Sequence, residues 1–88
     1  MSVYWNNDVM PELERAKKKF GAFASAHEGF AVIQEEVDEL WQSVKDGDLI
    51  NARKEAVQIA AMAVRFLEDV PVDAGRAPSE HWTKGSAP

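Results

Sequence analysis

Two pairs of polar side chains at helical spacing are the residues of this chain best suited to chemistry. Glu36 and Glu39 lie three residues apart, and Glu55 and Gln58 repeat that spacing further along the chain. Side chains three residues apart are neighbours on one face of an α-helix. Oxygen ligands alone suit hard divalent cations such as Mg²⁺ or Mn²⁺, which also bind phosphates. The spacing therefore predicts a cation site formed by Glu36, Glu39, Glu55 and Gln58.

The first element that must position these residues is a helix over about residues 8–20. An apolar residue recurs there every three or four positions, which is the period of a helix with one buried face. Asn7 or Asp8 is expected to cap it, and Pro11 falls in its first turn, where a missing N–H costs little. Residues 1–7 are then an N-terminal extension. The apolar stripe consists of Val9, Leu13, Ala16, Phe20 and Phe23.

The acidic and amide pairs fall on the second and third predicted helices. Ser25 and Glu28 have the form of a capping box, which predicts a helix over residues 26–45. Asp48 is expected to cap a third helix that runs to about residue 69, where Pro71 ends it. The short turn between them, over residues 46–48, makes the two helices antiparallel.

The three predicted helices make up an all-α domain over residues 8–70. A flexible tail is expected over residues 71–88. The tail is rich in Pro, Gly and Ser, and its Trp82 is either a simple tail aromatic or a residue that docks on the body. The expected core face of the second helix carries Phe30, Ile33, Val37, Leu40, Trp41 and Val44.

Glu55 points into the apolar face of the third helix. That helix is apolar almost all round between residues 57 and 67, with Gln58 and Arg65 as its polar side chains. Three short helices cannot enclose one of their own members, so a second copy of the chain is expected to complete a four-helix-type bundle. A carboxylate in such a face is costly unless it is paired or holds a metal. Two interpretations stay open: a metal site, or a solvated acidic flank with Glu55 paired to a Lys or Arg.

Length and composition narrow the functional class. The chain has 88 residues, a formal net charge of −5 and no cysteine. The absence of cysteine excludes disulfides and thiolate zinc sites and favours the cytoplasm. The excess of acidic residues disfavours binding to a nucleic acid polymer, because that binding depends largely on Lys and Arg contacts with phosphates. No segment approaches the roughly 20 apolar residues that span a bilayer, so no membrane partner is expected.

The run from Ser25 to Trp41, followed by Glu55 and Gln58 in an alanine-rich helix, resembles the MazG-like all-α nucleoside triphosphate pyrophosphohydrolases. The resemblance covers about residues 8–70 and is greatest to the short members found in phages and mobile elements. That family carries E-x-x-E on one helix and E-x-x-D on the next. Glu36, Glu39 and Glu55 match its metal-binding carboxylates, whereas Gln58 stands in place of the aspartate.

The resemblance implies hydrolysis of a nucleoside triphosphate to a monophosphate and pyrophosphate, with Mg²⁺ or Mn²⁺ as cofactor. It implies a role in clearing surplus or non-standard nucleotides, in a homodimer or a homotetramer. Glu35 or Glu39 would take the proton from the attacking water. Lys54 and Arg53 are candidate phosphate ligands, as is the run Lys17-Lys18-Lys19, for which a solvated helix end is the favoured alternative.

Gln58 also supports a hypothesis of a different class. An amide offers an oxygen ligand but no charge, so the metal site is weaker than one with four carboxylates. The chain would then be a non-catalytic helical module that binds a nucleotide or a protein with a degenerate metal site.

Overall fold

The part of the chain that the structure describes folds into three helices and a short helical lead-in. The computed structural model describes residues 2–72. A π-helical turn over Trp5–Val9 leads into α1 (Met10–Lys19), which is followed by α2 (Ala26–Lys45) and α3 (Leu49–Asp69). The predicted all-α class is confirmed, while most of the expected tail over residues 71–88, including Trp82, lies outside the described residues. None of the described helices combines the length and apolarity needed to cross a bilayer.

The N-terminal helix begins earlier than its sequence pattern predicts. Helical backbone starts at Val3, so Asn7 and Asp8 lie inside the π-helical turn and neither caps a helix; that prediction is wrong. Pro11 is the physical reason for the wide turn. Its ring would clash with the carbonyl four residues before it in a regular α-helix, and it has no N–H to donate. The Met10 N–H instead donates to the carbonyl of Trp5, five residues back.

The ends of α2 and α3 match the predicted signals. The Glu28 N–H donates to Ser25 Oγ, while the Glu28 carboxylate accepts from the N–H of Ala24. The Asn51 N–H donates to Asp48 Oδ1 at 3.1 Å, which confirms Asp48 as the cap of α3. Between the helices Gly47 has φ of 73°, a left-handed conformation that favours glycine.

The core lies where α1 crosses α3 beside the start of α2. Four residues of the predicted first stripe are buried there with two residues of α3; the set is Val9, Leu13, Ala16, Phe23, Ala61 and Met62. Phe20 is 52% exposed, which contradicts its assignment to the stripe. It follows the last residue of α1 with extended backbone, so its side chain leaves the helical face.

Arg65 fixes the loop between α1 and α2 against the end of α3. Its side chain is buried, and Nη2 donates to the carbonyl of Gly21 at 2.6 Å. Its guanidinium lies over the Phe23 ring, 4.3 Å from the centroid. Asp69 Oδ2 lies 3.9 Å from Arg65 Nε and accepts from the Phe23 N–H at 3.0 Å. The loop is therefore anchored by one buried cation and one carboxylate.

α2 and α3 pack antiparallel along their length, as predicted. At one end Asn51 Nδ2 donates to Ser43 Oγ at 2.7 Å. At the other end Phe66 lies so close to Gly29 that a Cβ built on Gly29 would be 2.6 Å from the ring. Contact at both ends keeps the middle of each helix facing the other.

The face that α2 turns towards α3 differs from the predicted core face. Gly29 and Ser43 are the buried residues of α2, and Glu36 lies on the same face midway between them. Ile33 and Leu40 are half-buried at its edge. The other four residues of the predicted core face are exposed in the single chain; they are Phe30, Val37, Trp41 and Val44. For a single copy, this part of the prediction is wrong. α2 is rotated so that its smallest side chains meet α3.

The contact of Gly29 with Phe66 generates a test of this packing. Gly29→Ala forces a methyl group against the ring, and we expect it to lower the free energy of unfolding by about 1–2 kcal/mol after the gain in helix propensity. Urea unfolding followed by circular dichroism measures the change. Gly21→Ala is the matched control, because nothing lies within 4 Å of a Cβ at Gly21. Equal stability of both variants and the wild type would contradict the packing.

Candidate metal centre

Three carboxylates meet in the interface between α2 and α3. Glu36 and Glu39 lie one helical turn apart on α2, and Glu55 lies on α3. One oxygen from each carboxylate lies within 4.8 Å of the other two. The antiparallel packing therefore brings together three of the four residues that the sequence predicts as cation ligands.

Two of these carboxylates carry an oxygen that is buried and without a hydrogen-bond donor. Among residues 2–72 no group donates to Glu36 Oε1 or Glu55 Oε1, and no Lys or Arg forms an ion pair with Glu55. The alternative in which Glu55 is salt-bridged is thus not found in the described part of the chain. Buried carboxylate oxygens without partners are costly, and a hard divalent cation satisfies such oxygens. The three residues fit Mg²⁺ or Mn²⁺ by donor type and by charge.

The electrostatics of the cluster agree with its geometry. Burial disfavours the charged form of Glu36, and with the negative charge of Glu55, Glu39 and Glu35 it raises the pKa of Glu36 to about 8. The pKa of Glu39 is also raised, by burial and then by Glu55. Without a cation, Glu36 therefore holds a proton near neutral pH.

A cleft of about 580 Å³ borders the cluster at Glu36, while Glu39 and Glu55 lie outside its lining. Its walls come from α1, from the loop over residues 20–23, from the first half of α2 and from the middle of α3. Glu35, Glu36 and Gln58 lie side by side in its lining. The cleft exceeds two neighbouring depressions of about 410 and 350 Å³, neither of which is lined by Glu36.

The other predicted site residues take different positions. Glu35 is exposed on the cleft wall and lies outside the group of three meeting carboxylates. Gln58 is half-buried and lines both the cleft and a shallower depression between α1 and α3. Lys54 lines that depression but not the cleft, and the Arg53 guanidinium lies 5.5 Å from the Tyr4 ring centroid.

The side chains of Phe20, Trp41 and the lysine run over residues 17–19 divide between the cleft and solvent. Phe20 lines the cleft, whereas Trp41 lies on the exposed flank of α2 with the Lys45 ammonium 5.5 Å from its ring centroid. The lysines of residues 17–19 are exposed at the end of α1, where cations interact favourably with the helix dipole. Lys17 Nζ pairs there with Glu68 at 3.1 Å.

Two arginines in the cleft lining were not among the predicted site residues. Arg65 is recognisable in the sequence as a rare polar residue in the most apolar part of α3, and its buried position follows from that. Arg15 carries a weaker signal, since it lies on α1 next to the buried Ala16. Only the docking of α1 shows that this edge of the helix faces the carboxylates.

Comparisons with protein-family models, with curated proteins and with solved structures find no match to this chain.

The cluster makes a prediction about stability. Glu55→Gln removes one charge and keeps the side-chain shape, so we expect a more stable protein in EDTA and no further gain from Mn²⁺. The wild type should gain about 2.7 kcal/mol when Mn²⁺ exceeds its Kd 100-fold. Urea unfolding with and without Mn²⁺ measures both effects.

Glu14→Gln is the control for this experiment, because Glu14 is an exposed residue of α1. It should respond to Mn²⁺ as the wild type does. An equal Mn²⁺ response in Glu55→Gln would show that the cation binds elsewhere.

Proposed function

We propose that this chain is a Mg²⁺- or Mn²⁺-dependent nucleoside triphosphate pyrophosphohydrolase that acts on free nucleotides. The observation that supports the proposal best is the meeting of Glu36, Glu39 and Glu55, with two buried oxygens that lack donors, where Glu36 lines a cleft. The resemblance of residues 8–70 to MazG-like enzymes supplies the reaction: hydrolysis between the α and β phosphates.

Each residue of the centre has a role in this proposal. Glu36, Glu39 and Glu55 hold the cation, which neutralises phosphate charge and lowers the pKa of a bound water. Gln58 offers a neutral oxygen at the cleft wall. Glu39 already contributes an oxygen to the cluster, so we assign the proton from the attacking water to Glu35, which is exposed in the cleft lining and outside the cluster.

Substitutions in and beside the cluster test the activity. Glu55→Ala should reduce pyrophosphate release from a panel of NTPs and dNTPs with Mg²⁺ or Mn²⁺ by at least about 100-fold, because catalysis by a bound cation is lost. Glu14→Ala should keep wild-type activity. Folded wild-type protein that releases no pyrophosphate from any nucleotide would refute the proposed enzyme.

The alternative is a non-catalytic helical module that binds a nucleotide or a protein, and Gln58 is the observation that favours it. A charged ligand binds Mg²⁺ more tightly than an amide does. If the wild type neither binds Mg²⁺ nor hydrolyses nucleotides while Gln58→Asp does both, the natural site is degenerate. Wild-type activity that Glu55→Ala abolishes would reject the module.

We also propose that a second copy of the chain covers one flank of the α2–α3 pair. Phe30, Val37 and Val44 repeat every seven residues along α2 and are 61%, 40% and 44% exposed. α3 exposes Ala63 and the 77% exposed Leu67. A stripe with this spacing on two adjacent helices is typical of the contact between pairs of helices in a four-helix bundle. A homodimer and a homotetramer both place such a stripe in a shared core.

A charge in the stripe should separate the copies. Val37→Arg is expected to give a folded monomer, since burying an unpaired guanidinium in an apolar contact is costly. Light scattering after size-exclusion chromatography measures the mass. Val3→Arg is the control, because Val3 is also exposed, at 58%, but lies before α1 and outside the stripe. A well-folded wild-type monomer at micromolar concentration would overturn the shared core.

A further inference from the structure

We propose that Arg15 binds the phosphate chain of the substrate; this inference rests on the function proposed above. Arg15 lines the same cleft as Glu35, Glu36 and Gln58. It also lines the neighbouring depression, again together with Gln58. Its guanidinium therefore lies on the side of the carboxylate cluster where a ligand held by the cation has room to extend.

Arg15 is the cation of the cleft that keeps one edge of its guanidinium available to a ligand. Within the described part of the chain, the basic side chains that line the cleft are those of Arg15 and Arg65. Arg65 is buried and engaged with the carbonyl of Gly21 and with Asp69. The Arg15 side chain is 53% exposed.

Glu12 holds the Arg15 side chain in place. Arg15 Nε donates to Glu12 Oε1 at 3.0 Å, and Nη2 donates to Glu12 Oε2. This pairing uses one edge of the guanidinium and leaves the Nη1 edge without a partner among residues 2–72. A planar guanidinium fits two phosphate oxygens at once, so its free edge is suited to a phosphate chain.

The charge of the cleft explains why such a group is needed. Glu28 and Glu35 line it without an ion-pair partner among residues 2–72, and their negative charge repels the phosphates of a nucleotide. A divalent cation at the cluster compensates charge at one place only, and an ionic contact weakens quickly with distance in water. Arg15 supplies positive charge at a second place along the chain of phosphates.

Binding of inorganic tripolyphosphate in the presence of excess Mn²⁺ tests the inference without regard to base preference or turnover. We expect Arg15→Gln to weaken this binding by about 10-fold or more in isothermal titration calorimetry. Lys45→Gln removes one positive charge from an exposed position at the end of α2, outside the cleft, and should change the affinity by less than about twofold. The affinity for Mn²⁺ alone should be the same in all three proteins.

Arg15→Lys separates geometry from charge. It keeps the positive charge but loses the planar fork, so its affinity should lie between those of the wild type and Arg15→Gln. Circular dichroism confirms that each variant is folded before binding is compared.

The outcomes distinguish this inference from the function on which it rests. Equal tripolyphosphate affinity in Arg15→Gln and Lys45→Gln would overturn the role of Arg15 and leave the enzyme proposal standing. A wild type that binds no tripolyphosphate with Mn²⁺ would also overturn it. Arg15-dependent binding by a wild type that hydrolyses no nucleotide would instead support Arg15 and refute the enzyme alone.

Discussion

The close packing of α2 against α3 is the constraint on which the rest of the structure depends. Gly29 allows the Phe66 ring to reach the backbone of α2, and the Ser43 to Asn51 hydrogen bond fixes the opposite end. Held at both ends, the two helices bring Glu36 and Glu55 together although ionising both carboxylates there is unfavourable. Packing and hydrogen bonds outside the cluster thus offset the unfavourable electrostatics inside it, and three carboxylate oxygens are held close together.

Much of this arrangement is predictable from the sequence because it depends on local signals. The capping residues Ser25 and Asp48 and the left-handed Gly47 determine where α2 and α3 begin and how they turn. The spacing of Glu36, Glu39 and Glu55 then follows from helical geometry and an antiparallel turn. The π-helical turn before Pro11 is less predictable, because the same proline is equally compatible with the start of a helix.

The rest depends on contacts that a helical wheel does not contain. A helical wheel identifies the apolar side of α2. It cannot tell which residues of α2 contact α3 and which stay exposed in the single chain. Val37 and Trp41 are therefore exposed where burial is expected, while Gly29 and Ser43, which add little hydrophobicity, form the contact. Arg15 is hidden from a sequence-based prediction for the same reason, since its neighbours in the cleft come from other helices.

Arg65 links two parts of the molecule that are distant in the sequence. It joins the last turns of α3 to the loop over residues 20–23, and that loop is one wall of the cleft. Asp69 strengthens the link through the Phe23 N–H. Fraying of the end of α3 would release this wall, so the final helical turn and the entrance of the cleft form one cooperative unit. Access to the carboxylates is thereby coupled to the folding of a segment that contributes none of them.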